Sequence, residues 1–210
     1  HSGGSDEAIL PVAERIEHIV ARGLALIRLK KTPVSQKKVA VVYYDREMGK
    51  SELMRGTASG MFMNAPRSML HVLDRLTKEG YLLQNTPKTE EALLAEMQDH
   101  GRQVGVWAQG TLDRLVKTGK ATLIPEETYL SWFETKVPEA KRKELIHQWG
   151  PPPGDFMVWK DHGKKFIVIP QLDFGNVILL PQPLRGEAHT ATALNSQVHD
   201  KLTPPPHNYL

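Results

Sequence analysis

The sequence predicts an α/β domain: a parallel, Rossmann-like or flavodoxin-like sheet with helices on both faces and an added β-hairpin. Two apolar runs, residues 39–44 and 177–180, are continuous, which is typical of parallel strands buried on both faces. Between them, segments with apolar residues at helical spacing alternate with strand-like runs, an order that favours right-handed crossovers. We expect residues 10–210 to form one such domain, and residues 1–9 to be disordered or a remnant of the expression vector.

The first half of the chain predicts three helices and two strands. An amphipathic helix of about 18 residues ends before Thr32-Pro33, and its apolar face should pack on another element. After the first strand, Asn64 is placed to cap a second helix and Gly80 to end it. Residues 81–83 then predict a short strand, and Thr86-Pro87 the first turn of a third helix.

The second half of the chain predicts three more helices and a hairpin. One helix covers residues 112–116, and the other two begin at Pro125 and Pro138. The hairpin covers residues 156–169, with its turn at Asp161-His162-Gly163. We expect this hairpin to lie near an edge of the parallel sheet.

Aromatic residues are frequent in the second half. Tyr129, Trp132 and Phe133 are expected on one helix face, where they would form core rather than a platform for a ligand. Trp149 differs because it directly precedes the sequence Gly-Pro-Pro-Pro-Gly at residues 150–154. Prolines fix φ, so this turn should be rigid and should set the orientation of the Trp149 ring.

Composition excludes several classes of function. The formal net charge is +3 with 24% charged residues, so the chain lacks the strongly basic surface that phosphate neutralisation requires, and we expect no nucleic-acid partner. There is no cysteine, which excludes disulfides, thiolate zinc sites and iron–sulfur clusters within this sequence. No apolar run approaches the roughly 20 residues of a membrane span, so we expect no span and a cytoplasmic location.

Side chains able to transfer protons gather beyond the last predicted strand. His199 and Asp200 are followed by His207, which comes directly after three prolines. Imidazole and carboxylate groups suit proton removal and the ligation of a divalent ion. The alternative is that both histidines only hydrogen-bond the backbone of an irregular loop and that Asp200 caps a turn. If the histidines serve a ligand, we expect them to be partly exposed and mobile, in one cleft with Gln182 and Arg185.

Several motifs carry a resemblance to a known family. Residues 174–186 read FGNVILLPQPLRG, and they are followed by His199-Asp200 and by PPPHNYL at residues 204–210. Upstream, residues 149–154 read WGPPPG and residues 37–44 read KKVAVVYY. In this order, the motifs resemble the large subunits of cobaltochelatase and magnesium chelatase. The resemblance extends over almost the whole chain and implies a fragment of a larger chelatase subunit, inactive when isolated.

The resemblance implies a tetrapyrrole-binding portion of a cobaltochelatase-type subunit. Such a ligase inserts cobalt, its substrate metal, into a corrin precursor during cobalamin biosynthesis. Separate AAA+ ATPase subunits would use ATP and magnesium, neither of which this chain would bind. Two alternatives stay open: a homologous haem-processing or demetallating enzyme, and a module that binds a tetrapyrrole, either corrin or porphyrin, without chemistry.

The resemblance also implies roles for individual residues. We expect His199, Asp200 and His207 to remove the pyrrole protons, and the two histidines also to act as metal ligands. His147 is expected to replace an acidic residue that the family carries in the helix before the tryptophan-glycine motif. Arg185 is expected to pair with a carboxylate at the edge of the tetrapyrrole, and the alternative is that it forms an ion pair on the protein surface. The side chains expected to contact the tetrapyrrole are Trp149, Asn176, Gln182 and Arg185.

Gly49-Lys50-Ser51 looks like the end of a phosphate-binding loop, but we expect it to bind no nucleotide. A Walker A motif requires a further glycine at position 44, where this chain has Tyr44. The loop at residues 45–63 is also longer than the usual strand-to-helix connection. Titration calorimetry with ATP and magnesium should therefore detect no binding. Micromolar affinity that Lys50→Ala abolishes would contradict this prediction.

Overall fold

The computed structural model of the protein describes residues 12–43, 64–105, 108–183 and 204–210. The described helices are α1 (Ala13–Lys31), α2 (Ala65–Lys78), α3 (Glu90–His100), α4 (Gln109–Lys117), α5 (Glu126–Lys136) and α6 (Glu139–Trp149). The described strands are β1 (Val39–Tyr43), β2 (Ala121–Pro125), β3 (Val158–Asp161), β4 (Lys164–Pro170), β5 (Leu172–Asp173) and β6 (Val177–Pro181). Short 3-10 turns cover Val34–Gln36 and His207–Tyr209. The described strands form two three-stranded sheets, which we call sheet one and sheet two.

Sheet one has the strand order β1-β6-β5 and joins an early strand to a late one. β1 and β6 are parallel, in a register that runs from Val39 opposite Val177 to Tyr43 opposite Pro181. The prediction that these two apolar runs lie in one sheet as parallel strands is therefore confirmed. β5 is antiparallel to β6, and most strand pairs in the two described sheets are antiparallel, so the expected parallel, Rossmann-like arrangement is not confirmed.

Helices α2 and α3 pack on one face of sheet one. Leu73 of α2 and Leu93 of α3 are buried together with Val177 and Leu179 of β6. On the other face, the Val42 side chain of β1 is 58% exposed, so the described helices do not cover it. Among the described residues, helices therefore cover one face of sheet one, and the expectation of helices on both faces is not confirmed. Buried and half-buried side chains alternate along β6, which is the pattern of a sheet with one covered face.

The segment after α2 contributes a single bridge to sheet one rather than a strand. Leu83 pairs with Gly175 in an isolated antiparallel bridge, although residues 81–83 have a strand-like pattern. Gly175 has a φ of +85°, and a Cβ there would lie 2.8 Å from the carbonyl oxygen of Leu82. Only glycine therefore allows the two segments to approach this closely.

Sheet two has the strand order β2-β4-β3 and is antiparallel throughout. β3 and β4 form the predicted hairpin, whose turn has positive φ at His162 (45°) and Gly163 (79°), as a type I′ turn requires. The hairpin belongs to a sheet separate from the parallel pair, because β2 pairs with β4, and β4 leads directly into β5 at the edge of sheet one. β2 is not among the strands expected from the sequence, where its last residue, Pro125, is expected to begin the following helix.

Helices α4, α5 and α6 bury apolar side chains beside sheet two. Leu112 and Leu115 of α4 belong to one buried cluster, and Tyr129 and Phe133 of α5 belong to another. The core role predicted for these two aromatic residues is confirmed. Trp132, however, is 47% exposed and does not share their face, because adjacent residues of a helix point in different directions.

Side-chain caps set the starts of α2 and α3. Asn64 Oδ1 accepts the backbone N–H of Arg67 at 2.9 Å, as predicted for α2. The start predicted for α3 at Thr86-Pro87 is wrong. Thr89 is the cap, because its Oγ1 accepts the backbone N–H of Ala92 at 3.2 Å.

Helix α1 lies where the sequence predicts it, but none of its residues is buried. Its apolar side chains include Ile19, which is 72% exposed, and Leu26, which is 60% exposed. The expectation that its apolar face packs on another element is therefore not met within the part of the chain that the structure describes. None of the described helices has the length and apolar character needed to cross a membrane.

Replacing Gly101, directly after α3, should destabilise the protein. A Cβ at this position would lie against the Tyr43 hydroxyl, which donates a hydrogen bond to the Gly101 carbonyl, and 3.0 Å from a methyl carbon of Leu172. We expect Gly101→Ala to lower the free energy of unfolding by about 1–3 kcal/mol, as overpacked core substitutions do. Urea unfolding measures the change.

The matched control for this substitution is Gly110→Ala in α4, because no atom lies within 4 Å of the Cβ position at Gly110. Alanine has a higher helix propensity than glycine, so the control should be neutral or stabilising by up to about 1 kcal/mol. If both variants unfold at the same urea concentration, close packing at Gly101 is not the constraint that the geometry indicates.

Candidate functional site

The Trp149 turn, residues 149–154, connects the end of α6 to the chain that enters sheet two. Gly150 follows the helix with a φ of +77°, and Gly154 has a φ of +73°. Residues other than glycine rarely adopt these conformations, and the three prolines between them have fixed φ. The turn therefore fixes the direction in which the chain leaves α6, directly after Trp149.

The proline–histidine segment, residues 204–207, packs directly on the Trp149 turn. Trp149 Nε1 donates a hydrogen bond to the carbonyl oxygen of Pro204 at 2.7 Å. His207 Nε2 lies 2.9 Å from the carbonyl oxygen of Gly150. A Cβ at Gly154 would lie 3.0 Å from a carbon of the His207 ring, so this glycine also makes room for the imidazole. Two motifs that are far apart in the sequence thus meet at one place.

Hydrogen bonds fix the tautomer of His207, whose side chain is only 2% exposed. A carbonyl oxygen only accepts, so the Nε2 that faces Gly150 must carry the hydrogen. Nδ1 then accepts the hydroxyl hydrogen of Tyr129 at 2.9 Å. The ring also packs edge-on against Tyr129 and Phe133, with centroid separations of 5.8 and 5.4 Å.

The electrostatics of this pair favour neutral side chains. Burial lowers the pKa of the His207 imidazole, although the hydrogen bond to the Gly150 carbonyl acts in the opposite direction. Burial also raises the pKa of the Tyr129 phenol above its ordinary value. The phenol therefore stays protonated as a donor, and the imidazole stays uncharged with one accepting nitrogen.

The expectation that His207 is partly exposed is wrong, because only 2% of this residue is exposed. Both ring nitrogens already have partners, so His207 would have to release Tyr129 or Gly150 before it could ligate a metal or take up a substrate proton. The geometry matches the alternative interpretation, in which this histidine hydrogen-bonds the backbone. Buried polar groups in folded proteins are usually satisfied in this way.

The structure separates other residues that the sequence analysis grouped. Asn176 lies just before the first residue of β6, and its side-chain amide donates a hydrogen bond to the carbonyl oxygen of Ser35 at 2.7 Å. Gln182 follows the other end of the same strand, where its backbone N–H donates to the Tyr43 carbonyl at 2.8 Å. Asn176 and Gln182 therefore lie at opposite ends of β6 and do not share one cleft. His147 is exposed in the last turn of α6.

Three predicted site residues, His199, Asp200 and Arg185, lie outside the described residues, as does the loop with Gly49-Lys50-Ser51. Among the residues with described positions, no group of three or more histidine, aspartate or glutamate side chains is arranged to hold a metal ion. The roles assigned to these three residues stay predictions.

The partners of the proline–histidine segment do not follow from the sequence. The sequence predicts Tyr129 only as a core residue, and Gly150 and Gly154 only as residues of a turn. The available signals were the rigid turn after Trp149 and the proline run before His207, because each restricts the backbone of a segment that must place a side chain. Nothing local to either segment indicates that the two touch.

A groove of about 670 Å³ lies between α2, α3 and the loop that joins them. Arg67 bonds the Glu90 carboxylate, and this hydrogen bond, together with a second one from Asn64, lowers the pKa of Glu90 below its usual range. Paired, solvent-exposed charges of this kind are common on protein surfaces and contribute little energy. We therefore assign no role to the groove.

Comparison with known proteins identifies the family. The sequence model of the CobN/Magnesium Chelatase family matches residues 1–210, the whole chain. The chain belongs to this family. The resemblance carried by the motifs at residues 149–154 and 204–210 is therefore confirmed.

Members of the family and a solved structure cover nearly all of this chain. Protein MJ1441 of Methanocaldococcus jannaschii is 30% identical over 208 residues, which are 95% of this chain and 16% of that protein. A magnesium-chelatase subunit of Chlorobaculum parvum is 24% identical over 207 residues, 98% of this chain and 14% of that protein. The catalytic subunit of cobaltochelatase from Mycobacterium tuberculosis has the same fold, with a TM-score of 0.69 at 24% identity over 96% of this chain and 15% of that one.

The free energy of unfolding should fall at acidic pH through His207. Its pKa in the folded protein is below the ordinary value of 6.5, so the unfolded chain takes up a proton first as the pH decreases. The stabilising contribution is complete above that ordinary value and is lost as the pH falls from it toward the folded-state pKa. His207→Gln keeps a donor for Gly150 but does not titrate, so it should lose less stability than the wild type between about pH 7.5 and about pH 5.5. Parallel pH dependence in the two proteins would contradict this account.

Proposed function

We propose that this chain is the part of a chelatase large subunit that holds a tetrapyrrole while a divalent metal is inserted. The observation that carries the proposal is the contact between the Trp149 turn and the proline–histidine segment, because both motifs belong to the family resemblance. Family membership over the whole chain supports an activity of this class. The relatives and the solved structure are much longer, and this chain spans 14–16% of their length, so the activity of the whole protein is part of the proposal.

The proposed ring site uses Trp149, Gln182 and Arg185. The Trp149 indole is partly exposed and is held by its hydrogen bond to the Pro204 carbonyl, so it offers a fixed aromatic surface to a planar ring. Arg185 would pair bidentately with a carboxylate at the edge of the ring, and Gln182 would bond an amide or a carboxylate. Asn176 is not retained, because its amide is already bonded at the other end of β6.

Metal insertion requires removal of two pyrrole protons and of water from the metal. We assign these steps to His199 and Asp200, whose side chains suit proton removal and transient ligation of cobalt, the substrate metal. In the sequence they precede Pro204 by about five residues, a length of chain that spans at most about 18 Å. The bond between Pro204 and Trp149 therefore limits their distance from the proposed ring surface. His147, exposed on α6, is a second proposed acid–base residue.

For the ring and the metal, we propose a corrin precursor and cobalt, as in cobalamin biosynthesis, with ATP hydrolysed by separate AAA+ subunits. A porphyrin and magnesium are the second proposal, favoured by the similarity to the magnesium-chelatase subunit of Chlorobaculum parvum. Both reactions need the same removal of pyrrole protons. They differ in the groups at the ring edge, which Gln182 and Arg185 would contact.

The test uses the complete large subunit with its ATPase partners. One reaction contains cobalt and a metal-free corrin, and a parallel reaction contains magnesium and a metal-free porphyrin, with insertion followed by visible absorption. We expect His199→Ala to lower the insertion rate by about 100-fold or more, the usual contribution of an acid–base residue, while the affinity for the ring stays within about twofold. The control is His18→Ala, exposed on α1, which should change neither quantity.

Three other outcomes would redirect the proposal. Metal release in place of uptake would support the demetallating alternative. Ring binding by the wild-type complex without any insertion would support a binding module. An insertion rate that is unchanged in the folded fraction of His199→Ala would remove His199 from the chemistry.

A further inference from the structure

The proline–histidine segment holds Trp149 through two separate hydrogen bonds. Pro204 accepts from the indole N–H at 2.7 Å, and His207 donates to the carbonyl of the next residue, Gly150, at 2.9 Å. The imidazole is in turn held by the Tyr129 hydroxyl at 2.9 Å. The indole also packs against the buried cluster that contains Tyr129, while part of its surface stays exposed.

The geometry points to His207 and Tyr129 as positioning residues that fix the partly exposed Trp149 indole for contact with a tetrapyrrole ring. This inference rests on the proposed function, because it assumes that Trp149 contacts the ring. With 2% of its surface exposed, His207 cannot itself form a ligand surface. Its effect on the ring must therefore pass through Gly150 to the adjacent Trp149.

The hydrogen bonds run in one direction, from the Tyr129 hydroxyl to His207 Nδ1 and from His207 Nε2 to the Gly150 carbonyl. Gly150 has more backbone freedom than any other residue type would have, and it links the helix to the proline run. The bond from His207 limits this freedom at the peptide that directly follows Trp149. Without that bond, the half-buried Gly150 carbonyl would lose its protein partner, and the peptide after Trp149 would no longer be held in one orientation.

The substitutions separate the hydrogen bond from the packing. His207→Leu fills the position with an apolar side chain and removes the hydrogen bonds of the imidazole to Tyr129 and to Gly150. His207→Gln keeps a donor directed at Gly150, and Tyr129→Phe keeps the aromatic packing but removes the hydroxyl. The last two are milder changes, which keep the inference testable even if His207→Leu does not fold. Trp149→Leu removes the indole itself.

Each variant is made in the complete large subunit, and its affinity is measured by absorption titration with a metal-free porphyrin and with a metal-free corrin. Circular dichroism and urea unfolding give the folded fraction of each variant. Each Kd is then calculated from the concentration of folded protein. We expect His207→Leu to raise the Kd for the bound ring about tenfold and Tyr129→Phe to raise it by a smaller factor, since one buried hydrogen bond is worth about this much. His207→Gln should restore the Kd to within about threefold of the wild type.

The decisive measurement is the double variant His207→Leu/Trp149→Leu. Because His207 acts through Trp149, its substitution should add little to the Kd once the indole is gone, so the two effects should not be additive. Additive effects, or an unchanged Kd in folded Tyr129→Phe and His207→Leu, would overturn the positioning role while leaving the proposed function intact. A wild-type subunit that binds neither ring would overturn the proposed function and this inference together.

Discussion

The parallel pairing of β1 with β6 is the constraint on which the rest of sheet one depends. Val177 and Leu179 of β6 are fully buried, and side chains of this kind each contribute about 1.5–3 kcal/mol when they are removed from water. They form the surface on which Leu73 of α2 and Leu93 of α3 pack. At the end of β1, the Tyr43 hydroxyl bonds the carbonyl of Gly101 and so ties the strand to the loop after α3. The pairing therefore determines where both covering helices lie.

The sequence was sufficient for features that depend on neighbouring residues. The β1 and β6 strands, the Asn64 cap and the hairpin turn at His162-Gly163 each follow from side chains close together in the chain. The number of faces of sheet one that helices cover cannot be predicted from the sequence, because a continuous apolar run occurs in strands with one covered face and in strands with two. Likewise, nothing within the hairpin indicates that β2 is its partner, since a pleated edge can pair with any available strand.

The same distinction applies to the candidate site. The sequence predicts a chemical role for His207 because the three prolines before it restrict the backbone and could orient the imidazole toward a ligand. Its actual partners are Tyr129 and Gly150, both far away in the sequence, and they consume its hydrogen-bonding capacity. A histidine of this kind specifies one arrangement of two segments, because any other arrangement leaves a buried polar group without a partner. In the motif at residues 204–210, the histidine next to the prolines therefore has a structural role, because it joins two segments of the fold.

The order of the strands has a consequence for synthesis on the ribosome. Everything that sheet two needs, from α4 to β4, lies in one uninterrupted stretch, whereas β1 is made early and must wait for β6. Contacts between distant segments form slowly, because the chain entropy of closing a long loop is lost before the contact is gained. During synthesis β1 therefore has no β6 to pair with until the residues between them have been made. An apolar strand without its partner is a template for wrong pairing, so the separation of β1 from β6 in the sequence exposes the growing chain to misfolding during this interval.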